Sequence, residues 1–106
     1  MIAKTPQPPY YAVIFTTVKN DDQTGYAEMA EKMGRLSAEQ PGFIGMEHAE
    51  SGGVSITVCY WESEDAIRNW NNNSEHLIAQ QKGRDIWYKA FATRICRVER
   101  DNRFEA

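Results

Sequence analysis

Two cysteines, two histidines and no cluster of basic residues set the first limits on this chain of 106 residues. Cys59 and Cys96 stand alone, without the short paired spacing of a zinc knuckle or the density of a disulfide framework, so both read as buried free thiols. His48 and His76 do not share metal-ligand spacing, and no metal site is expected. The 12 Lys and Arg residues form no run and the net charge is -3, whereas a phosphate-binding surface needs concentrated positive charge; a nucleic-acid partner is excluded. No stretch approaches the roughly 20 apolar residues of a membrane span, and the N-terminus lacks the apolar core of a secretory signal. The expectation is a cytoplasmic protein with no membrane contact.

What is present fits one globular domain: 42% hydrophobic and 25% charged residues. A domain of this size buries only about two thirds of the surface its unfolded chain exposes, so a second protomer would add stability. Three prolines in residues 1–9 preclude a strand interior and suggest a flexible N-terminal arm. Residues 10–99 form the domain, and residues 100–106 a charged C-terminal tail that frays.

Residues 10–18 are β-branched and aromatic on both alternating faces, as in a central strand covered on both sides. Asn20, Asp21 and Asp22 turn the chain, and Asp22 or Thr24 can cap the next helix. There Tyr26, Met29, Ala30, Met33 and Leu36 form one stripe, while Glu28 with Lys32 and Glu31 with Arg35 pair on the wet side. Gln40-Pro41-Gly42 ends it. Two extended runs, 43–50 and 54–61, flank the glycine loop 51–53 as a hairpin. In the second run Ser55, Thr57, Cys59 and Trp61 share a face that resembles a cavity wall. Ser63 caps a helix rich in early carboxylates, residues 71–74 break it, and a further helical segment follows from Glu75 before a turn at 83–85 and a last strand, 87–99.

The order β-α-β-β-α-β predicts an α+β ferredoxin-like protomer: a four-stranded antiparallel sheet, in order 4-1-3-2, with helices on one face. Cys59 and Cys96 would then lie two strands apart, about 10 Å, beyond disulfide reach. Strand 1 and the outer strands are apolar on both faces, so the uncovered face calls for a second copy; a homodimer is expected.

The run PGFIGMEHAE (Pro41 to Glu50), the glycine hairpin, ITVCYWESEDAIRNW (Ile56 to Trp70) and SEHL (Ser74 to Leu77) resemble the antibiotic biosynthesis monooxygenase family over about residues 10–98. The resemblance implies a dimeric α/β barrel of ferredoxin-like protomers, each with a small-molecule pocket between sheet and helices. It implies a cofactor-independent monooxygenase acting on an aromatic or quinol-like substrate, with two alternatives: a non-catalytic dimeric scaffold or small-molecule-binding protein, and a haem-binding or haem-degrading enzyme.

A cofactor-free oxygenase needs a base, and His76 matches the histidine that family members often carry after the third strand; its other reading is a structural helix-start hydrogen bond. His48, beside Glu47 and Glu50, reads as a surface residue. Trp61 and Trp70 could stack a flat substrate, although Trp70 follows Ala66 and Ile67 at core spacing. Phe15 and Thr17 alternate on the first strand, where Thr17 could offer a hydroxyl. For haem, Trp70 fits the relatives' tryptophan, but their iron-ligating histidine falls near Gln80, and Thr16 and Thr17 replace an expected asparagine. Haem is therefore disfavoured and no cofactor is expected.

Overall fold

The computed structural model describes residues 2–106. The elements run β1 (Tyr10–Lys19), α1 (Tyr26–Ala38), β2 (Phe43–Ser51), β3 (Val54–Trp61), α2 (Glu64–Asn71), α3 (Ser74–Lys82) and β4 (Tyr88–Val98). One wide π-type turn, Gly83–Trp87, carries α3 into β4 where a simple turn was expected. The four strands make one antiparallel sheet in the order β2-β3-β1-β4, the ferredoxin-like arrangement.

The local signals act much as their chemistry requires. Ser63 Oγ accepts the Ala66 N–H at 3.1 Å, and Asn73 Oδ1 accepts from the Glu75 and His76 N–H groups at 3.0 and 3.3 Å. Each bond satisfies amide donors that a helix start leaves unpaired. Two expectations fail. Gly25, with φ of 79°, occupies the α1 cap position, and Asp22 instead accepts from Thr24 N–H in the preceding loop. Lys32 reaches across to Glu75 on α3 at 2.6 Å rather than back to Glu28, so it ties two helices together; Glu31 and Arg35 do pair, at 3.8 Å.

Register assigns the faces. Tyr11, Val13, Phe15 and Thr17 of β1 lie beside Trp61, Cys59, Thr57 and Ser55 of β3, and this face meets the helices. Its core is Trp61, Ala66, Ile67 and Trp70, with Tyr11, Val13, Met33, Leu36 and Phe43 packed around it. Cys96 pairs with Ala12 and Cys59 with Val13, so the two thiols sit on opposite faces and remain free.

The other face carries no helix. Val18, Val54 and Ile56 are exposed there, Ile56 by 47%. The N- and C-terminal segments cover its far end. Ala3 N–H donates to Glu47 at 2.9 Å, Arg103 donates to the Ala3 carbonyl and to Thr5 Oγ1, and Tyr10 O–H donates to Asp101 at 2.6 Å. The arm and tail were expected to be free; they interlock instead, because opposite chain ends meet over the Tyr10–Tyr60 pair, whose rings stand edge to face at 5.9 Å. No helix among the described residues is long and apolar enough to cross a membrane.

Two glycines separate steric from conformational demands. Gly42 has φ of 88°, and a Cβ there would lie 2.7 Å from the Ala66 Cβ, whereas Gly52, with φ of 58°, faces open space. Gly42→Ala should lose about 2–4 kcal/mol and Gly52→Ala about 1–2 kcal/mol, since only the first adds overpacking to left-handed strain. Urea midpoints measure both; equal losses would mean that the Gly42–Ala66 approach does not limit the fold.

Candidate functional site

His76 sits in the elbow between α2 and α3, and Trp70 of α2 fixes its ring twice. The imidazole stacks on the Trp70 indole with centroids 4.3 Å apart and planes 13° apart. Its Nδ1 lies 3.0 Å from the Trp70 carbonyl oxygen, which also accepts the Asn73 N–H at 3.0 Å. One helical turn further, Gln80 Nε2 donates to the Asn71 carbonyl at 3.1 Å and lies 3.3 Å from the same imidazole Nδ1.

These contacts assign the tautomer. A carbonyl oxygen can only accept, so the shorter contact requires Nδ1 to carry the proton; the longer Gln80 contact then sets donor against donor, and the Gln80 bond that counts is the one to the Asn71 carbonyl. Nε2 is then the bare nitrogen, with no hydrogen-bond partner among the described residues. Burial holds the His76 pKa below its ordinary value, and the bond to the Trp70 carbonyl opposes that shift only in part. The site therefore presents a neutral imidazole with a free lone pair.

The five residues expected to act together fall into two groups. Trp70 joins His76, and Trp61 lies in the same region, but Trp61 is core rather than pocket wall. It is 1% exposed and meets Phe43 edge to face at 5.3 Å, because α2 closes directly over that end of β3. Phe15 and Thr17 belong to the opposite end of the helix-covered face. Trp61 pairs with Tyr11, six residues from Thr17 along β1, which is about 20 Å at the usual strand rise.

Thr17, also 1% exposed, shares a hydrogen bond of 2.7 Å with Ser55, a residue to which no site role had been assigned. Around Phe15 lies an aromatic group: Tyr88 at 5.7 Å, Phe91 at 5.8 Å, and Tyr26 against both Tyr88 and Trp87. Burial, reinforced by the Tyr26 hydroxyl, raises the Tyr88 pKa, so its phenol stays protonated at neutral pH.

His48 is exposed, with Nδ1 2.7 Å from Thr57 Oγ1. Burial pushes the Cys59 thiol up to about 11, which removes it as a nucleophile at neutral pH. Among the described residues no three His, Cys, Asp or Glu side chains converge as a metal centre. One hollow, about 510 Å³, lies between the chain ends at Lys4, Thr5, Asp101 and Arg103, away from every residue named for the site. A second, about 50 Å³, separates α2 from Ile95 of β4 and is lined by Ile67 and Asn71. Neither contains His76. The larger one is lined by mixed-charge chain ends.

The family model described as antibiotic biosynthesis monooxygenase matches residues 9–82. YqjZ of Bacillus subtilis strain 168, an uncharacterized protein, is 50% identical over 105 residues, covering 98% of this chain and 92% of its own length. SnoaB of Streptomyces nogalater, a cofactor-independent oxygenase, has a similar fold with a TM-score of 0.75 at 11% identity, covering 89% of this chain and 97% of that one. Rv0793 of Mycobacterium tuberculosis gives a TM-score of 0.75 at 16% identity, with 88% and 97% covered.

The Thr17–Ser55 pair yields a stability test. Thr17→Val leaves the Ser55 hydroxyl buried without its partner and should cost about 1–3 kcal/mol. Adding Ser55→Ala should recover part of that loss in a urea double-mutant cycle; strictly additive losses would mean the hydroxyls do not interact.

Proposed function

The chain belongs to the antibiotic biosynthesis monooxygenase family, and from that premise we propose that it is a cofactor-independent monooxygenase acting on an aromatic or quinol-like small molecule. The observation that carries this reading is the state of His76: ring fixed by Trp70, proton on Nδ1, lone pair free on Nε2. SnoaB's description as a cofactor-independent oxygenase on the same fold agrees with it.

In this mechanism Nε2 removes a proton from the substrate's hydroxyl or activated ring carbon. The resulting anion is electron-rich enough to reduce O2 directly. A ring methylene beside a phenol loses two hydrogens and gains one oxygen as a ketone, and the second oxygen leaves with those hydrogens as water. The substrate is the only reductant. Haem does not fit these residues: Gln80 stands where the resemblance calls for an iron-ligating histidine, its amide is held by Asn71, and Thr16 and Thr17 replace the expected asparagine.

The working unit in this proposal is a cytoplasmic homodimer of the domain 10–99, joined through the helix-free face at Val18, Val54 and Ile56. A second reading, a non-catalytic dimeric binding protein, is favoured by one observation: neither hollow touches His76, while ligand sites usually begin near 300 Å³.

Oxygen uptake with a quinol substrate separates the two. His76→Ala should lower the rate by about 100-fold or more while the sedimentation profile is unchanged; an unaltered rate removes His76 from the mechanism. Because the base must be neutral, wild-type activity should hold at and above pH 7 and fall on acidification, with its midpoint below the ordinary histidine value of about 6.5. A midpoint above that value would contradict the burial of the ring. Ile56→Lys, which puts a charge into the proposed contact, should convert the dimer to monomer in sedimentation experiments; an unchanged dimer would place the interface elsewhere.

A further inference from the structure

We propose that the interlocked chain ends are a clasp that occupies the Tyr10–Tyr60 end of the helix-free sheet face and confines a second copy of this chain to the opposite end, at Val18, Val54 and Ile56. This deepens the homodimer reading and rests on it for the presence of the second copy.

The two ends of that face differ in cover, although neither carries a helix. Tyr10 and Ala12 are 4% and 5% exposed, whereas Val18, Val54 and Ile56 are 38%, 41% and 47% exposed. Register puts all of them on one surface, with Ala12 between Tyr60 and Cys96, and Val18 beside Val54. At the covered end the chain ends stand where a partner would otherwise be needed.

The clasp is built from both directions. Gly45 of β2 has no side chain, and a Cβ there would lie 3.2 Å from the Ala3 Cβ, so the N-terminal segment lies close on the strand. Glu47 grips that segment with both carboxylate oxygens in use, one accepting the Ala3 N–H and the other the Tyr60 O–H at 2.6 Å. The tyrosine bond holds Glu47 below its usual carboxylate range, so the acceptor stays ionised at neutral pH. From the other end of the chain, Asp101 accepts the Tyr10 O–H, and Arg103 donates to the Ala3 carbonyl and to Thr5 Oγ1. Each end is therefore held in part by the other. Ala3, Thr5, Asp101 and Arg103 all lie outside the residues 9–82 matched by the family model, so that match does not account for the clasp.

What a second copy meets differs accordingly. About a two-fold axis a patch meets itself, and an uncharged apolar patch does so without repulsion. Val18, Val54 and Ile56 make such a patch. The clasp instead turns Lys4, Asp101, Arg103 and Glu105 outward around the hollow of about 510 Å³, and burying charged groups of this kind is costly. Arg94 stands between the two ends, exposed, opposite Ile14 and without an ion pair among the described residues. A contact extended over it would bury an unpaired charge.

The test mixes methyl-labelled and unlabelled copies of the full chain, refolds them together, and reads intermolecular NOEs. Wild type should give them from the Val18, Val54 and Ile56 methyls and none from Val98, which pairs with Tyr10 at the clasped end. Asp101→Ala combined with Arg103→Ala removes the tail's grip; both residues are exposed and lie beyond β4, so the variant should fold. In it the Ala3 amide should exchange about tenfold faster, and the Val98 methyls should gain intermolecular NOEs. Unchanged Ala3 exchange, or a freed Ala3 with no new contact at Val98, would overturn the proposal. Val98 NOEs in wild type would overturn it while leaving the homodimer intact, and the absence of any intermolecular NOE would remove the homodimer and this proposal together.

Discussion

Trp70 connects the fold to the candidate site through both its side chain and its backbone. The indole packs with Trp61, Ala66 and Ile67, so the position of α2 on the sheet depends on it. Its outer face carries the His76 ring, and its carbonyl takes the Nδ1 proton. A shift of α2 would therefore move the imidazole and the carbonyl that Nδ1 faces together. In the proposed mechanism the base must be held in one orientation, and the burial that stabilises the domain also holds this ring. The two functions of Trp70 cannot be varied independently.

The break between α2 and α3 is what permits this. A continuous helix would set His76 and Trp70, six residues apart, about 120° from each other around one cylinder, too far to stack. Asn73 stops α2 and restarts the chain as α3, and the chain folds back far enough for an α3 ring to lie on an α2 ring. His76 and Gln80, four residues apart on α3, then face the last carbonyls of α2, which a helix end leaves partly unsatisfied. The Lys32–Glu75 bridge secures α3 to α1 from the other side.

Much of this was legible in the sequence, and the part that was not has a common cause. Strand alternation, Ser63 as a cap and the polar break at 71–74 are local signals, and local signals identified the element order and hence the ferredoxin-like fold. His76 was legible as a candidate because histidine chemistry is specific, and the sequence could not supply its ring contacts. Trp61 was misread as a pocket wall because alternation puts it on a face but does not say that α2 closes there. Gln80 looked only like a missing iron ligand, since its bond to Asn71 depends on the elbow angle. The contacts of Arg103 with Ala3 and Thr5 span almost the whole chain, and no periodicity encodes them. Register and helix placement are tertiary quantities, so residues whose roles depend on them were the ones missed.

The division of the helix-covered face follows from how little helix the chain has to cover it. α2 and α3 together span 17 residues, broken by the elbow, and they enclose the Trp61 end while β4 remains open. The dry end can hold a neutral imidazole, because burial there disfavours its charged form. The open end can hold the hydrated guanidinium of Arg84 beside exposed rings, because water lowers the cost of an unpaired charge. A neutral imidazole and an unpaired guanidinium make opposite demands on the dielectric around them. Incomplete helical cover meets both demands on one sheet face, with the aromatic floor of Phe15, Tyr88 and Phe91 at the open end.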